Sequence, residues 1–464
     1  MSQPNATRRE LGVIAQHAKV IVVGQLATMA YGVTDAVVAG RYSDEALATL
    51  AVASSIFISI YVSLMSVMQA LMPIYSELHG AKKPLALGSA FRQSIYLALA
   101  LMLFGMAVMM QSGYFLALFG VPENLRPGAV HYLSILGWAL IPTIGFRMFA
   151  SLNQSLGAPR IVMLLQIASL VLKIPLTVWF VFGGAGLPAM GVVGCAWASF
   201  AVNCVLFVAA LVSLRTLSLY KPLALFSKFE RPDWQRLKIY ASLGVPAGLA
   251  SMVEVTSYAL MGLLVARMGV FATASHQIAA SMAAVLFMLP LSLSIASSAR
   301  VSYWMGAGDA AQAGAVARAA VKLTVGVALV ASTVMTLLAI PIANLYSGNP
   351  EVAKLGAGLL LFVALYHVAD AWQTIGCFLL RCWRITVMPL VVYAFTLWGL
   401  GLGGGFALAY QGLGGFAAWQ QPAAFWLMGF AALCLAATAF QWRIWQLTKR
   451  PVSSQSSAHG SRAG

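Results

Sequence analysis

The sequence predicts an all-α integral membrane protein with twelve transmembrane helices in two pseudo-symmetric six-helix lobes. Composition is the first observation, because 61% of the 464 residues are hydrophobic and only 9% are charged. The mean hydropathy is +0.86, whereas an ordinary globular domain is about 25% charged. The distribution of basic residues between the turns and a weak internal repeat are the other two observations.

The twelve helices are predicted from windows of apolar residues. A helix needs about 20 such residues to cross a hydrocarbon core of about 30 Å, and its backbone polar groups must be satisfied within the segment. The candidate spans lie near residues 20–40, 47–73, 90–111, 130–154, 161–182, 189–214, 238–266, 277–301, 318–345, 354–381, 386–409 and 424–443.

The basic residues predict the orientation. With both termini in the cytoplasm, 22 of the 28 Lys and Arg residues fall on the cytoplasmic side, if those near the cytoplasmic ends of spans are included, and only Arg147 and Lys173 lie deep within spans. Cytoplasmic loops are enriched in Lys and Arg, so this asymmetry supports the helix count as well as the orientation. A basic face against anionic lipid accounts for the net charge of +16, and we therefore expect no nucleic-acid partner.

The chain is predicted to be divided by its one long polar stretch between spans. This stretch is a cytoplasmic linker at 216–237 between an N-terminal lobe at 1–215 and a C-terminal lobe at 238–445. The Ser- and Gly-rich segment 446–464 is expected to be a disordered cytoplasmic tail.

The two lobes resemble each other weakly. GVVGCAW, which begins at Gly191, recurs as GLGGFAAW, which begins at Gly412, and other short matches have nearly the same offset. Asp35 and Glu254 then fall on corresponding first helices of the two lobes. Because each lobe has an even number of helices, the repeats share one orientation, which predicts a pseudo-two-fold axis along the membrane normal.

Three carboxylates, Asp35, Glu254 and Asp370, lie in apolar segments of a chain with only twelve acidic residues. A charge at the centre of a bilayer costs about 2.5–3.5 kcal/mol on insertion scales, so such residues usually mark an ion or proton site. A carboxylate in a span can also act as a hydrogen-bonding residue between helices, and this alternative stays open.

Polar residues accompany these carboxylates at helical spacing. Gln25, Thr28, Gly32 and Asp35 form one stripe on the first span, which we expect to face the interior of the lobe. Asp35 and Gln25 of this stripe, together with Lys173 on the fifth span, form the predicted proton or substrate site of the N-terminal lobe.

The densest polar cluster is predicted on the tenth span, where Tyr366, Asp370, Gln373 and Thr374 lie together. With Glu254, they offer the oxygen ligands that a small cation needs, and Glu254 and Asp370 are the candidate Na⁺ ligands. The same carboxylates could carry protons instead, and composition does not choose between these ions.

Other chemistry is not indicated. The five cysteines have no CxxC spacing, so neither a disulfide nor a zinc site is expected, and no cofactor is predicted. HExxH, GxSxG and P-loop patterns are also lacking, so we do not expect an enzyme.

Three segments carry a resemblance to a known family. They are GQLATMAYGVTDAVVAGR, LGVPAGLASMVEVTSYALMGLLVARMG with the following ASHQIAASMAAVLFMLPLSLSIASSARV, and LYHVADAWQTIGCFLLRCWRITVMP. The chain resembles the multidrug and toxic compound extrusion (MATE) transporters of the NorM-like branch over nearly its whole length.

The resemblance implies an antiporter that exports cationic amphipathic drugs and dyes by alternating access, driven by a cation. It places Glu254, Asp370 and Tyr366 in the coupling-cation region, and Asp35 in the N-terminal counterpart where proton coupling is proposed. We favour Na⁺ over H⁺, because these carboxylates with Tyr366 and Gln373 offer several oxygens and a proton needs only one. We expect a monomer in the bacterial inner membrane.

Two positions depart from the family pattern. Val20 stands where many members have a proline, so a bending of the first span that depends on that proline is not expected here. Lys173 stands where relatives usually have asparagine, on a face with Gln166, Ser169 and Thr177. Lys173 either pairs with Asp35 or extends its ammonium to the membrane interface.

The alternative function is a flippase of lipid-linked precursors from the same broad superfamily. Such a protein needs a cationic cavity for a pyrophosphate group. Basic residues within the spans are few, which favours the drug antiporter.

Overall fold

The structure, a computed structural model, describes residues 3–118, 120–184, 186–227, 230–412, 414–415 and 417–449. Within them, twelve helical segments are long and apolar enough to cross a membrane, so the predicted fold class is confirmed. The helices are α1 (Gln3–Tyr42), α2 (Asp44–Gln69), α3 (Met72–Gly80), α4 (Pro84–Met110), α5 (Ser112–Leu118), α6 (Arg126–Ser155), α7 (Pro159–Phe182), α8 (Val192–Thr216), α9 (Trp234–Ala266), α10 (Val270–Gly306), α11 (Ala310–Leu337), α12 (Ala339–Tyr346), α13 (Pro350–Cys382), α14 (Val387–Tyr393) and α15 (Ala423–Lys449).

Two of the spans are not single α-helices. The second span, Asp44–Gly80, combines α2 and α3. The eleventh span continues from α14 as π-helix over Ala394–Gly404 and Ala407–Gln411. A 3₁₀ helix, Ser218–Leu223, follows α8. The remaining spans are single α-helices, and α5 and α12 are too short to cross.

The packing repeats after six spans. In the first half of the chain, spans 2, 3 and 6 (α2–α3, α4 and α8) pack around span 4 (α6), and the short α5 also contacts it. In the second half, spans 8, 9 and 12 (α10, α11 and α15) pack around span 10 (α13), and the short α12 contacts that helix. Each half thus has one central helix with the same set of neighbours, as expected for a duplicated six-helix lobe.

Several helix ends differ from the predicted spans. α9 begins at Trp234 rather than 238, because polar residues at its start extend the helix beyond the apolar window. The predicted ninth span, 318–345, is wrong at both ends: Asp309 accepts a hydrogen bond from the Gln312 N–H and caps α11, and α12 is a separate helix. α15 includes residues 446–449, and the rest of the predicted tail lies outside the described residues.

The chain forms two compact units. One comprises Val20–Gly248, and the other contains the described residues before Val20 and after Gly248. In the second unit, the Arg300 guanidinium donates to both carboxylate oxygens of Glu10 at 2.7 and 2.8 Å, which attaches the start of α1 to α10. The predicted lobe boundaries at 215 and 238 stay predictions.

The segment between α8 and α9 is attached to α4 through Glu230. The Glu230 carboxylate accepts hydrogen bonds from Ser89 at 2.8 Å and from Arg92 Nε at 3.1 Å. Arg92 also donates to the Ala224 carbonyl at 2.7 Å. Burial alone would raise the pKa of Glu230, but the hydrogen bonds and the charge of Arg92 outweigh it and hold the pKa below its ordinary value.

This attachment has a predicted pH dependence. A carboxylate with a lowered native pKa stabilises the folded state at neutral pH and loses that contribution as the pH falls through the native pKa. We expect the amide hydrogens of residues 218–227 to keep their protection from exchange, measured against the intrinsic rate at each pH, down to about pH 4.3, the pKa of a free Glu. They should lose this protection only below that pH. Glu230→Gln should show faster exchange already at pH 7, and the exposed Glu123→Gln serves as control. Unchanged exchange in Glu230→Gln would contradict the attachment.

Candidate functional site

The polar face of α13 is buried. The helix is the central member of its half. It starts at Pro350, and the N-cap residue Asn349 accepts hydrogen bonds from backbone N–H groups of the first turn. Asp370, Gln373 and Thr374 lie within about one turn, and their exposed fractions are 7%, 0% and 3%. Spacing of three and four residues puts them on one face, which is the face that α13 buries.

Gln373 links the two carboxylates of this unit. Its Nε2 donates to Asp370 Oδ1 at 2.9 Å and to Glu254 Oε1, on α9, at 3.2 Å. Nε2 also lies 3.0 Å from the Thr374 hydroxyl, and the Gln373 Oε1 accepts a hydrogen bond from Tyr393 at the end of α14. One amide nitrogen has only two hydrogens, so it can donate to only two of these three acceptors at a time. The structure therefore brings three of the predicted site residues, Glu254, Asp370 and Gln373, into one cluster.

Tyr366 has a different role in this region. Its ring makes an edge-to-face contact with Trp426, with the centroids 5.2 Å apart. A Cβ atom at position 429 would lie 3.2 Å from the Tyr366 ring, so Gly429 permits the close packing. In the described part of the chain, no hydrogen bond joins Tyr366 to either carboxylate. Tyr366 thus belongs to an aromatic wall one turn from Asp370 rather than to the hydrogen-bond network.

The C-terminal cluster offers hard oxygen donors. They are two carboxylates, the Thr374 hydroxyl and the amide oxygen of Gln373. Neither Glu254 nor Asp370 forms an ion pair with a described residue. The described residues also contain no group of three or more His, Cys, Asp and Glu side chains that could hold a metal ion. A small monovalent cation or protons can neutralise such a pair of carboxylates.

The N-terminal stripe lies at the contact between α1 and α7. Three side-chain pairs join the helices, each 138 residues apart, and they are Thr28 with Gln166 at 3.0 Å, Tyr31 with Ser169, and Asp35 with Lys173 at 2.6 Å. A constant separation means that the two helices run parallel, as the first and fifth spans of a serpentine chain must. The polar faces predicted on these helices therefore meet in one register.

Lys173 is fully buried and all its hydrogen-bond donors are used. Its Nζ donates to Asp35 Oδ1 at 2.6 Å, to Ser199 Oγ at 2.8 Å and to the Cys195 carbonyl at 3.2 Å. An ammonium group has three hydrogens, so this coordination is complete. The structure thus contains the ion pair with Asp35, and the alternative of an ammonium at the membrane interface is wrong.

Gln25 does not join this pair. It lies ten residues before Asp35, which is about 15 Å along a helix. Gln25 instead lines a cavity of about 50 Å³ together with Arg147 and Gln166, and Asp35 is not among the lining residues. The predicted N-terminal site is therefore divided between an ion pair and a separate cavity.

Sequence reasoning missed three contributors. Tyr393 contacts Gln373 where α14 gives way to π-helix, a feature often found at functional sites. Ser199 completes the coordination of Lys173 but is an ordinary small residue on an apolar helix. Arg147 could have been singled out, because an arginine within a span is rare by itself.

Comparison with known sequences identifies one family. The family model MatE matches residues 21–179 and 246–406. A curated relative named "Probable multidrug resistance protein NorM", from Aromatoleum aromaticum, is 33% identical over 457 residues, which cover 98% of each chain. A protein of the same name from Neisseria meningitidis serogroup B is 30% identical over 440 residues, which cover 94% of each chain.

Solved structures share the fold. The eukaryotic MATE transporter AtDTX14 superposes with a TM-score of 0.86, and the match covers 98% of this chain and 99% of that one. The two sequences are only 18% identical, so this likeness concerns the fold alone.

Proposed function

Because the chain belongs to the MatE family of membrane transporters, we propose that it is a multidrug efflux antiporter, which exports cationic amphipathic compounds in exchange for Na⁺ or H⁺. The observation that carries this proposal is the buried pair of carboxylates, Glu254 and Asp370, which share the amide of Gln373 and form no salt bridge with a described residue.

The physical reason is electrostatic. Two ionised carboxylates that share one buried amide repel each other, and the amide supplies only partial positive charge. A bound cation removes the repulsion, whether it is Na⁺ or a proton. For Na⁺, a rotation of the Gln373 amide would present Oε1 to the ion and Nε2 to Tyr393. We favour Na⁺ because the cluster has several oxygen donors.

Coupling follows from competition for this charge. A cation that neutralises the pair stabilises one conformation of the transporter, and release of the cation stabilises the other. A cationic substrate that competes for the same negative charge is then moved in the opposite direction, since the two ligands are linked through one equilibrium.

The Asp35–Lys173 pair has another role in this scheme. Its charges neutralise each other, and its polar atoms are hydrogen-bonded across α1, α7 and α8. We infer that it holds these helices together and carries no coupling proton. The neutralised Lys173 also weakens the alternative of a flippase, which needs basic side chains free to bind pyrophosphate.

We also propose an orientation and a cellular membrane for the transporter. The excess of Lys and Arg on one side supports cytoplasmic termini, and the bacterial relatives support a place in the bacterial inner membrane. We expect the transporter to act as a monomer.

Everted membrane vesicles test the coupling ion. We expect an imposed Na⁺ gradient to drive uptake of the cationic dye ethidium at constant pH, because the paired carboxylates bind Na⁺. A pH gradient imposed without Na⁺ should drive much less uptake. The reverse result would assign the coupling to H⁺, and failure of both gradients to drive ethidium or other cationic dyes would overturn the antiporter. Vesicles without the protein are the control.

A further inference from the structure

A polar cavity in the unit Val20–Gly248 is not used by the proposed cation coupling. Its larger part has a volume of about 50 Å³, and a smaller part of about 10 Å³ adjoins it. Both parts are lined by Gln25, Arg147, Ala150 and Gln166. We call it the Arg147 cavity.

Arg147 is a cation without a protein partner. It lies on the central helix α6, eight residues before Ser155, which is about 12 Å from the helix end. Within the described chain it forms no ion pair and donates no hydrogen bond. Its Nε atom is buried and has no hydrogen-bond partner. The side chain as a whole is partly buried, and a charged group withdrawn from water is costly unless it is paired.

The cavity wall offers no counter-charge. None of the described residues that line it is acidic, and the carboxylate of Asp35 is already bound by Lys173. The other polar groups are neutral and include the amides of Gln25 and Asn203. The charge balance of this cavity is opposite to that of the C-terminal cluster, where two carboxylates form no salt bridge with a cationic side chain.

We propose that the Arg147 cavity binds the carboxylate group of an amphipathic organic acid. A guanidinium matches a planar carboxylate with two parallel hydrogen bonds. One guanidinium balances one charge, which suits a carboxylate better than a pyrophosphate. A water-sized group needs about 10–15 Å³ of such cavity space, so a cavity of about 50 Å³ holds the acid group while the apolar body of the ligand stays outside.

This inference rests on the proposed export function and deepens it, because it adds compounds with an acid group to the substrate range. Its test measures binding and not transport, so this inference and the proposed export function can fail separately. An antiporter without acid binding would refute only the present inference, and acid binding without driven dye transport would refute only the proposed function.

The test uses 1-naphthylacetate and its methyl ester with the full-length purified protein in nanodiscs of neutral lipid. Calorimetry should detect binding of the acid and at least about tenfold weaker binding of the ester. Arg147→Gln should weaken acid binding by about 10- to 100-fold, the range for a lost hydrogen bond between charged groups, and should leave ester binding unchanged. Arg147→Lys should recover part of the affinity. Arg126→Gln, on the same helix but outside the cavity, is the matched control.

Thermal stability separates ligand binding from a structural role. If the role of Arg147 is to bind an anionic ligand, the ligand-free Arg147→Gln protein should have a midpoint of thermal unfolding equal to or higher than that of wild type. The substitution should also abolish the increase in the midpoint that the acid produces. A lower midpoint for Arg147→Gln would show a structural arginine and overturn the proposal. Equal acid binding by wild type and Arg147→Gln would also overturn it, as would protection by chloride or by phosphatidylglycerol but not by the acid.

Discussion

Glu254→Gln and Asp370→Asn are each expected to abolish export driven by an ion gradient, although both proteins remain folded. Each substitution keeps the size of the side chain and an acceptor for Gln373, but it removes one of the two charges that a bound cation balances. Loss of a charged ligand weakens ion binding by about 10- to 100-fold. The double variant should be no worse than either single variant, since one lost charge already uncouples the site.

The measurement combines dye uptake by everted vesicles with the effect of Na⁺ on thermal unfolding. In wild type, Na⁺ should raise the midpoint of unfolding, because a ligand that binds only the folded state stabilises it. Both variants should lose this increase together with the driven uptake. Glu123→Gln removes an exposed carboxylate and should behave as wild type. Full driven transport by both site variants would refute the C-terminal coupling site.

Asp35→Asn is expected to destabilise the protein strongly, and Lys173→Asn added to it should restore part of the loss. Removing one partner of a buried ion pair leaves the other charge without compensation and typically costs about 3–5 kcal/mol, whereas removing both partners can be nearly neutral. Lys173 is fully buried, and Asn at position 35 could still accept its hydrogen bond but would supply no negative charge to balance the ammonium. The two substitutions should therefore be strongly non-additive.

A double-mutant cycle measures this coupling through folded yield and the midpoint of thermal unfolding. We expect a coupling energy of about 1–3 kcal/mol between Asp35 and Lys173. The same cycle on Glu123 and Arg126, an exposed pair with side chains 92% and 33% accessible, should be close to additive. Additive effects of Asp35→Asn and Lys173→Asn, or a Lys173→Asn protein as stable as wild type, would show that the ion pair does not hold α1 and α7 together.

Local properties of the chain determined the fold class. Twelve spans follow from apolar windows, and their boundaries were least accurate where a cap such as Asp309 begins a helix outside the apolar window. The polar stripes of α1 and α13 follow from helical periodicity, because residues three and four apart share a face whatever the rest of the chain does. The isolated carboxylates were identifiable because a charged side chain within an apolar span is rare and costly, whichever residue becomes its partner.

Only the tertiary structure decided which partner each charged group has. Asp35 is neutralised by Lys173, 138 residues away, whereas Glu254 and Asp370 share the amide of Gln373 and Arg147 faces neutral groups. Periodicity predicts the face on which a side chain lies, but not the helix that packs against that face. Sequence alone therefore indicated where charge lies within the membrane, and the packing of distant helices determined which of those charges are compensated by the protein and which are left to a ligand.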